Sequence, residues 1–377
     1  MSPIEDFSAT FAVEPGYLDW AAFGPLAPSV REEAVADLEL LGAGRERGIG
    51  LVAGRVGEAR ELVASLLGLD LAGVALQPST THGIAQAVYG VSGGIVASPR
   101  EFPTIPVTIV RAASARGRVV PQWIDPAEPF ATPQAIAAAL DETTSAVAVS
   151  LVDFRTGYRA DLAAIREVIG EDRLLIVDAT QAFGVVDVDW TPADVVAGHG
   201  YKWLRAGRGT GFAWYGHRAR VALDPVLSGT TGTDLDDLPF DLVPAPAPAP
   251  DGRAFTVSRP DPLAAARLAS ALGEVARTGV DVIEAAIAER AERVIGIADA
   301  HGIDVVTPRD PARRAGIVSL DPGQRHVAAL GAALANAGVT VTARTGLVRV
   351  SVHAGTDDES LRMLDDACAT FVQTRVG

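Results

Sequence analysis

One lysine, Lys202, stands in the stretch GHGYKWLRAG (198–207), and the other 31 Lys/Arg positions of the 377-residue chain are all arginine. A primary amine can lose its proton and condense with a carbonyl to an imine, whereas a guanidinium effectively never deprotonates. A sequence that uses arginine everywhere else and keeps lysine once marks that position as a candidate covalent site. Chance retention and a lone salt bridge are the plain alternatives. Asp178 lies 24 residues earlier, at the end of the apolar run RLLIVDA. A carboxylate there can hold a proton on a ligand, or it can simply close a turn.

The elements that must position this pair are short and regular. GVALQP, GGIVASP, AVAVSLVD, RLLIVDA and ADVVAG are apolar runs bounded by turn residues and are predicted to be buried strands. REEAVADLELL, GEARELVASLLG, PQAIAAALDE and DLAAIREVIG between them carry helical spacing. This alternation predicts an α/β fold with a mostly parallel sheet covered on both faces. In such sheets ligands bind at the carboxyl ends of strands, where Asp178 falls. An imine lysine facing that carboxylate is the pairing used by pyridoxal phosphate: the imine carries the aldehyde and the carboxylate keeps the pyridine nitrogen protonated.

The Pro-Ala run LVPAPAPAPDGR (242–253) cannot be a helix interior or a central strand and is predicted to be a linker. After it come helical patterns over about 262–278 and 280–301, strands in GIVSL, VTVTAR and LVRVSVH, and a last helix over about 357–374. The expected division is an N-terminal segment with a large domain over 1–250 and a small C-terminal α/β domain over 251–377.

The run VDATQAFGVVDVDWTPADVVAGHGYKWLRAGRGTGF (177–212) resembles the cofactor core of the class V aminotransferase family, fold type I. Other stretches follow in the family's order. GYLDWAAFGPLAPSV (16–30) resembles its N-terminal segment and STTHGIAQAV (79–88) its phosphate-binding helix start. EFPT (101–104) and VDFRTGYRADL (152–162) resemble kynureninases in particular, and RRAGIVSL (313–320) and LVRVSVHAGTDDES (347–360) resemble the small domain. The resemblance covers nearly the whole chain. It implies that Lys202 is the imine lysine, Asp178 the pyridinium partner, Gln181 a neighbour of the cofactor's phenolic oxygen and Phe102 the ring stacked on the pyridine. It implies Thr80 and Thr81 at a phosphate-binding helix start, where ordinary N-capping is the other role. Tyr201 matches a kynureninase tyrosine that reaches the phosphate, with a packed aromatic as the alternative. Arg349 matches the arginine that grips the substrate α-carboxylate in a bidentate pair, with a buried ion pair as the alternative.

The sequence departs from the family at several points. His199 stands where many relatives carry a Ser or Thr directed at the phosphate, and Asp153 where Asn is usual. TVSRPDP (256–262) stands for the family's Gly-Thr-Pro, leaving Ser258 or Arg259 to contact phosphate across a dimer. No cysteine lies between Lys202 and Arg349, which argues against a desulfurase needing a mobile thiol; Cys368, the single cysteine, is expected in the core.

A net charge of −15 argues against nucleic acid or an anionic membrane as partner. No apolar run reaches the roughly 18 residues that span a bilayer. MSPIEDFSATF lacks the basic start of a signal peptide, so a cytoplasmic protein is expected. The six histidines lack metal-ligand spacing, so no metal is expected, and RAGRGTG (205–211) reads as a turn rather than a nucleotide loop because FAWYG follows as a strand. The expected function is a pyridoxal-phosphate enzyme acting on an amino acid as its small-molecule substrate, by a kynureninase-like C–C or C–S lyase reaction. Amino transfer to a keto acid uses the same residues, and a non-catalytic binding protein of the same fold is the alternative from another class. The resemblance also implies a homodimer.

Overall fold

The structure, a computed structural model, describes residues 2–235 and 244–376. Seven strands form the central sheet: β1 (Val74–Gln77), β2 (Gly93–Ala97), β3 (Val119–Trp123), β4 (Thr144–Ser150), β5 (Leu174–Asp178), β6 (Val195–His199) and β7 (Gly211–Tyr215). Their order is β1-β7-β6-β5-β4-β2-β3. β3, β2, β4, β5 and β6 pair in parallel, and β7 runs antiparallel to β6 and β1. The fold is therefore α/β with a mostly parallel sheet.

Every residue of β5, β6 and β7 is buried, as expected of strands covered on both faces. Alternation along the strands separates two cores. Val147, Val149, Leu175, Val177 and Val196 belong to one; Ala146, Ala148, Leu174, Ile176 and Ala197 belong to the other. The edge strand β3 escaped the sequence pattern because Pro121 interrupts it. A proline lacks an N–H, and an edge position tolerates that loss.

The C-terminal sheet contains β8 (Asp304–Val305), β9 (Ile317–Asp321), β10 (Thr342–Arg344) and β11 (Leu347–Ser351), all antiparallel, ordered β10-β11-β9-β8. The last helix, Asp358–Val376, turns Leu361, Leu364, Cys368 and Phe371 inward at helical spacing, and all four are buried. Each buried side chain of that size contributes about 1.5–3 kcal/mol. The helix Pro262–Thr278 packs on Pro28–Gly42 and Glu46–Leu67, while Val280–Ala300 packs on β8 and β9. Residues 242 and 243 of the Pro-Ala run lie outside the described residues. Among the described residues no helix is long and apolar enough to cross a membrane, and no group of three His, Cys, Asp or Glu is placed to hold a metal.

Candidate active site

Asp178 is the last residue of β5, level with Ser150 on β4 and Ala197 on β6. It is buried, and its Oδ1 accepts a hydrogen bond from the Thr180 N–H at 2.8 Å. Lys202 follows β6 in a loop fixed from several sides. The Gly24 N–H donates to the Tyr201 carbonyl at 2.9 Å, and the Arg205 N–H to the Lys202 carbonyl at 3.0 Å. The Trp203 indole donates to Gln181 Oε1 at 2.7 Å. His353 Nε2 donates to the Trp203 carbonyl at 2.8 Å, while its Nδ1 accepts from the Ala354 N–H. Burial and nearby cations hold that imidazole neutral, its pKa pushed down to about 3. Arg205, at φ 58°, anchors the loop's end through Glu274 at 2.7 Å and lies over the Phe11 ring at 3.9 Å.

Burial pushes the Lys202 ammonium down to about 8, against the opposing pull of Asp178 and with a smaller contribution from Arg349. A sizeable fraction of the amine is therefore neutral near pH 8, the form that attacks a carbonyl. Burial also raises the Asp178 pKa, opposed by Thr180 and Lys202. A ligand bringing a protonated ring nitrogen would favour the anionic form of that carboxyl.

A cavity of about 630 Å³ brings Lys202, Tyr201, Gln181, Phe102 and Arg349 together on one wall system. Lys202 Nζ lies 5.6 Å from the Phe102 ring centre and 5.7 Å from that of Tyr201. Phe102 is 40% exposed and meets Phe154 edge-on at 5.2 Å. Both ends of the Gln181 amide are engaged, because its Nε2 also donates to the Ala21 carbonyl at 3.1 Å. Gln181 thus ties the lysine loop to the N-terminal segment. Arg349 donates to the Phe154 carbonyl at 2.9 Å and to Asp19 at 3.3 Å, and its Nε is buried without an acceptor.

Asp178, His199, Thr80 and Thr81 lie outside the cavity walls. Thr80 and Thr81 open the helix Thr80–Gly90, but the N-cap is Ser79. The Thr80 hydroxyl is 2.9 Å from that of Thr180, just beyond Asp178, and the Thr81 hydroxyl is 2.9 Å from that of Thr104. His199 stacks on Tyr201 at 3.8 Å; burial, with Lys202 nearby, holds its pKa well below the ordinary value, and its Nδ1 has no partner. A depressed amine, a buried carboxyl, an aromatic side chain on the cavity, a helix start beside Thr180 and a buried imidazole with an unpartnered Nδ1 fit a planar aldehyde bearing a ring nitrogen and an anionic group.

Three neighbours were not read as site residues from the sequence. Asp19, whose pKa burial raises, holds both Arg349 and Thr342. Arg208 lies 4.6 Å over Tyr201, within the RAGRGTG run read as a turn. Glu101 lines the cavity beside Phe102. Nothing in their local sequence signals these roles, which arise from contacts across the chain. Asp153 caps its own turn through Thr156 and Arg155. Ser258 and Arg259 line a separate cavity of about 480 Å³ with His82 and Gly209. Cys368 is fully buried, its thiol pushed up to about 12 by burial.

A family model described as aminotransferase class-V matches residues 17–357. The kynureninase of Deinococcus radiodurans is 32% identical over 181 residues, 46% of this chain and 43% of that protein. A kynureninase of Burkholderia pseudomallei is 33% identical over 116 residues, 30% of this chain and 27% of that one. The match therefore spans less than half the length of these curated relatives. Among solved structures, a cysteine desulfurase from Thermococcus onnurineus superposes with a TM-score of 0.86 at 20% identity, covering 98% of each chain. A cystine C–S lyase in complex with cysteine persulfide superposes with a TM-score of 0.82 at 19% identity, covering 96% of this chain and 98% of that one. At such identity the likeness is one of fold. With the lysine, its carboxylate and the sheet that positions them in place, the match over 17–357 shows that the chain belongs to the aminotransferase class-V family of pyridoxal-phosphate-dependent enzymes.

Proposed function

We propose that the chain binds pyridoxal phosphate at Lys202 and cleaves a bond beyond Cα of an amino acid, in a kynureninase-like C–C or C–S lyase reaction. The observation that carries this reading is the buried Lys202 amine, its pKa near 8, within electrostatic reach of Asp178 and on one cavity with Arg349. Bound there, the cofactor supplies an aldehyde for an amine and a ring that accepts electrons from Cα. Asp178 holds the proton on the ring nitrogen. Phe102 covers the ring and excludes water. Thr80, Thr81, His199 and Tyr201 hold the phosphate end, with Gln181 fixing the loop that carries Lys202. Arg349 orients the substrate α-carboxylate. As a free neutral amine, Lys202 would be a base able to take the substrate's Cα proton.

The kynureninase similarity favours the lyase over amino transfer. The chain works as a homodimer in this reading, with Ser258 or Arg259 of one copy serving the phosphate of the other. The test is turnover of a panel including kynurenine, cysteine, cystine and aspartate, with no keto acid present. A lyase continues for many turnovers. Arrest after one equivalent per subunit, relieved by pyruvate or 2-oxoglutarate, would show amino transfer instead.

A further inference from the structure

The Lys202 cavity is cationic in a protein of net charge −15. Arg155, Lys202, Arg344 and Arg349 line it, against one carboxyl, Glu101. That carboxyl is itself pushed up to about 7 by burial, so near pH 7 it is only about half ionised and offsets a minor part of the positive charge. In the reading proposed above, two of the cations have assigned work. Lys202 meets the cofactor, and Arg349 meets the substrate α-carboxylate with Asp19 behind it. Arg344 and Arg155 are left over.

Both are under-used by the protein. Arg344 is an exposed residue on the cavity wall and forms no ion pair with an acidic residue among the described residues. Arg155 reaches Asp153 only at 3.4 Å, and its Nε is buried without an acceptor. A buried charged N–H without an acceptor is unfavourable, and an anion entering the cavity would relieve it. Arg344 is also held in place by an uncommon turn. β10 and β11 join through Thr345 and Gly346, at φ 54° and 86°, which pairs Arg344 directly with Leu347. Two positive φ values define the tight hairpin turn that suits Asn-Gly, and a β-branched residue at the first of them is strained. Such outliers gather where a site needs them. Here Arg344, Thr345 and Leu347 all line the cavity.

The geometry points to a substrate with a second acidic group: an amino acid whose side chain ends in a carboxylate or similar oxyanion, held by Arg344 and Arg155 while Arg349 holds the α-carboxylate. This assignment rests on the proposed function and narrows its substrate class. The apolar walls, Phe102, Pro103, Phe154 and Leu347, enclose the carbon chain between the two anionic ends.

The experiment titrates the pyridoxal-phosphate-loaded protein with acids that lack an amino group: succinate, glutarate, butyrate and 3-phenylpropionate. Binding is read from the shift of the bound cofactor's visible absorption and, independently, from thermal stabilisation. Succinate or glutarate should bind about tenfold or more tighter than butyrate, as expected for an added charge-assisted contact. Arg344→Gln and Arg155→Gln should each reduce that preference several-fold and leave butyrate affinity unchanged. Added salt should weaken the dicarboxylates more than butyrate. Phenylpropionate or butyrate binding as tightly as both dicarboxylates would overturn the assignment in favour of a neutral side chain. A dicarboxylate preference that survives in both variants would overturn it as well. Failure of the underlying reading shows itself earlier, as a protein that takes up no cofactor and develops no visible band before any acid is added.

Discussion

Glu101 accepts two hydrogen bonds from Ser150, from its backbone N–H at 3.1 Å and its hydroxyl at 2.5 Å. Ser150 in turn stands level with Asp178 on the neighbouring strand. Burial raises the Glu101 carboxyl from 4.5 to about 7, Ser150 opposes that shift, and the carboxylates of Asp153 and Asp178 add to it. Below pH 4.5 the carboxyl is protonated in both the folded and unfolded chains. As pH rises toward 7 the unfolded chain ionises first, so stability falls, by on the order of 3 kcal/mol once pH exceeds 7. Glu101→Gln removes this dependence. Its Tm, relative to the parent protein, should climb between pH 5 and pH 8. A difference that stays flat over that range would show that Glu101 ionises normally.

Lys202→Arg keeps the charge and removes the amine. The parent protein incubated with pyridoxal phosphate should turn yellow, and borohydride should leave a pyridoxyl group on Lys202, located by peptide mass. In Lys202→Arg both signals should vanish. Survival of the visible band in that variant would place the covalent site elsewhere.

Asp178→Asn removes the carboxylate that would hold the ring-nitrogen proton. Cofactor uptake should persist, while kcat should fall on the order of 10³-fold or more, because stabilising charge developed at Cα is the demanding part of the reaction. Near-normal turnover would assign that proton to another group.

Gly24→Ala tests the clamp on the lysine loop. A Cβ there would lie 1.9 Å from the Lys202 carbonyl oxygen and 3.3 Å from Arg205 Cα, both backbone atoms that cannot swing aside. The variant should lose about 1–3 kcal/mol of stability and a large part of its borohydride-trapped cofactor. Gly57→Ala is the control: it lies within Glu46–Leu67 with no atom within 4 Å of the added carbon. It should be neutral or gain up to about 1 kcal/mol from helix propensity. Equal behaviour of the two variants would mean that the Gly24 contact does not constrain the loop.

Cys368→Ala should cost about 1–2 kcal/mol as a small core truncation and leave kcat unchanged. A folded, cofactor-loaded variant without activity would instead make the thiol a reacting group.

Lys202 and Asp178 stood out in the sequence as candidates because their chemistry restricts residue type: only a primary amine forms an imine, and a carboxylate closing an apolar strand lands on the ligand edge of a parallel sheet, which is where the fold places Asp178. The buried strands were legible for a similar reason, since burial on both faces demands continuous apolar runs. The helix Thr104–Arg116 and the edge strand β3 went unread because neither shows a clean period, and Pro121 breaks the second.

Tertiary structure alone decided how the remaining groups are used. Gln181 matched a cofactor-binding position by resemblance, yet its amide is shared between Ala21 and Trp203, which lie far from each other along the chain. Asp19 behind Arg349, and the convergence of Arg155, Arg344 and Arg349 on the Lys202 cavity, have no local signature. An arginine's role depends on which acceptors packing brings within about 3 Å of its N–H groups. Sequence spacing carries that information within a strand or helix, where geometry is periodic, and loses it between elements joined only by the folded core.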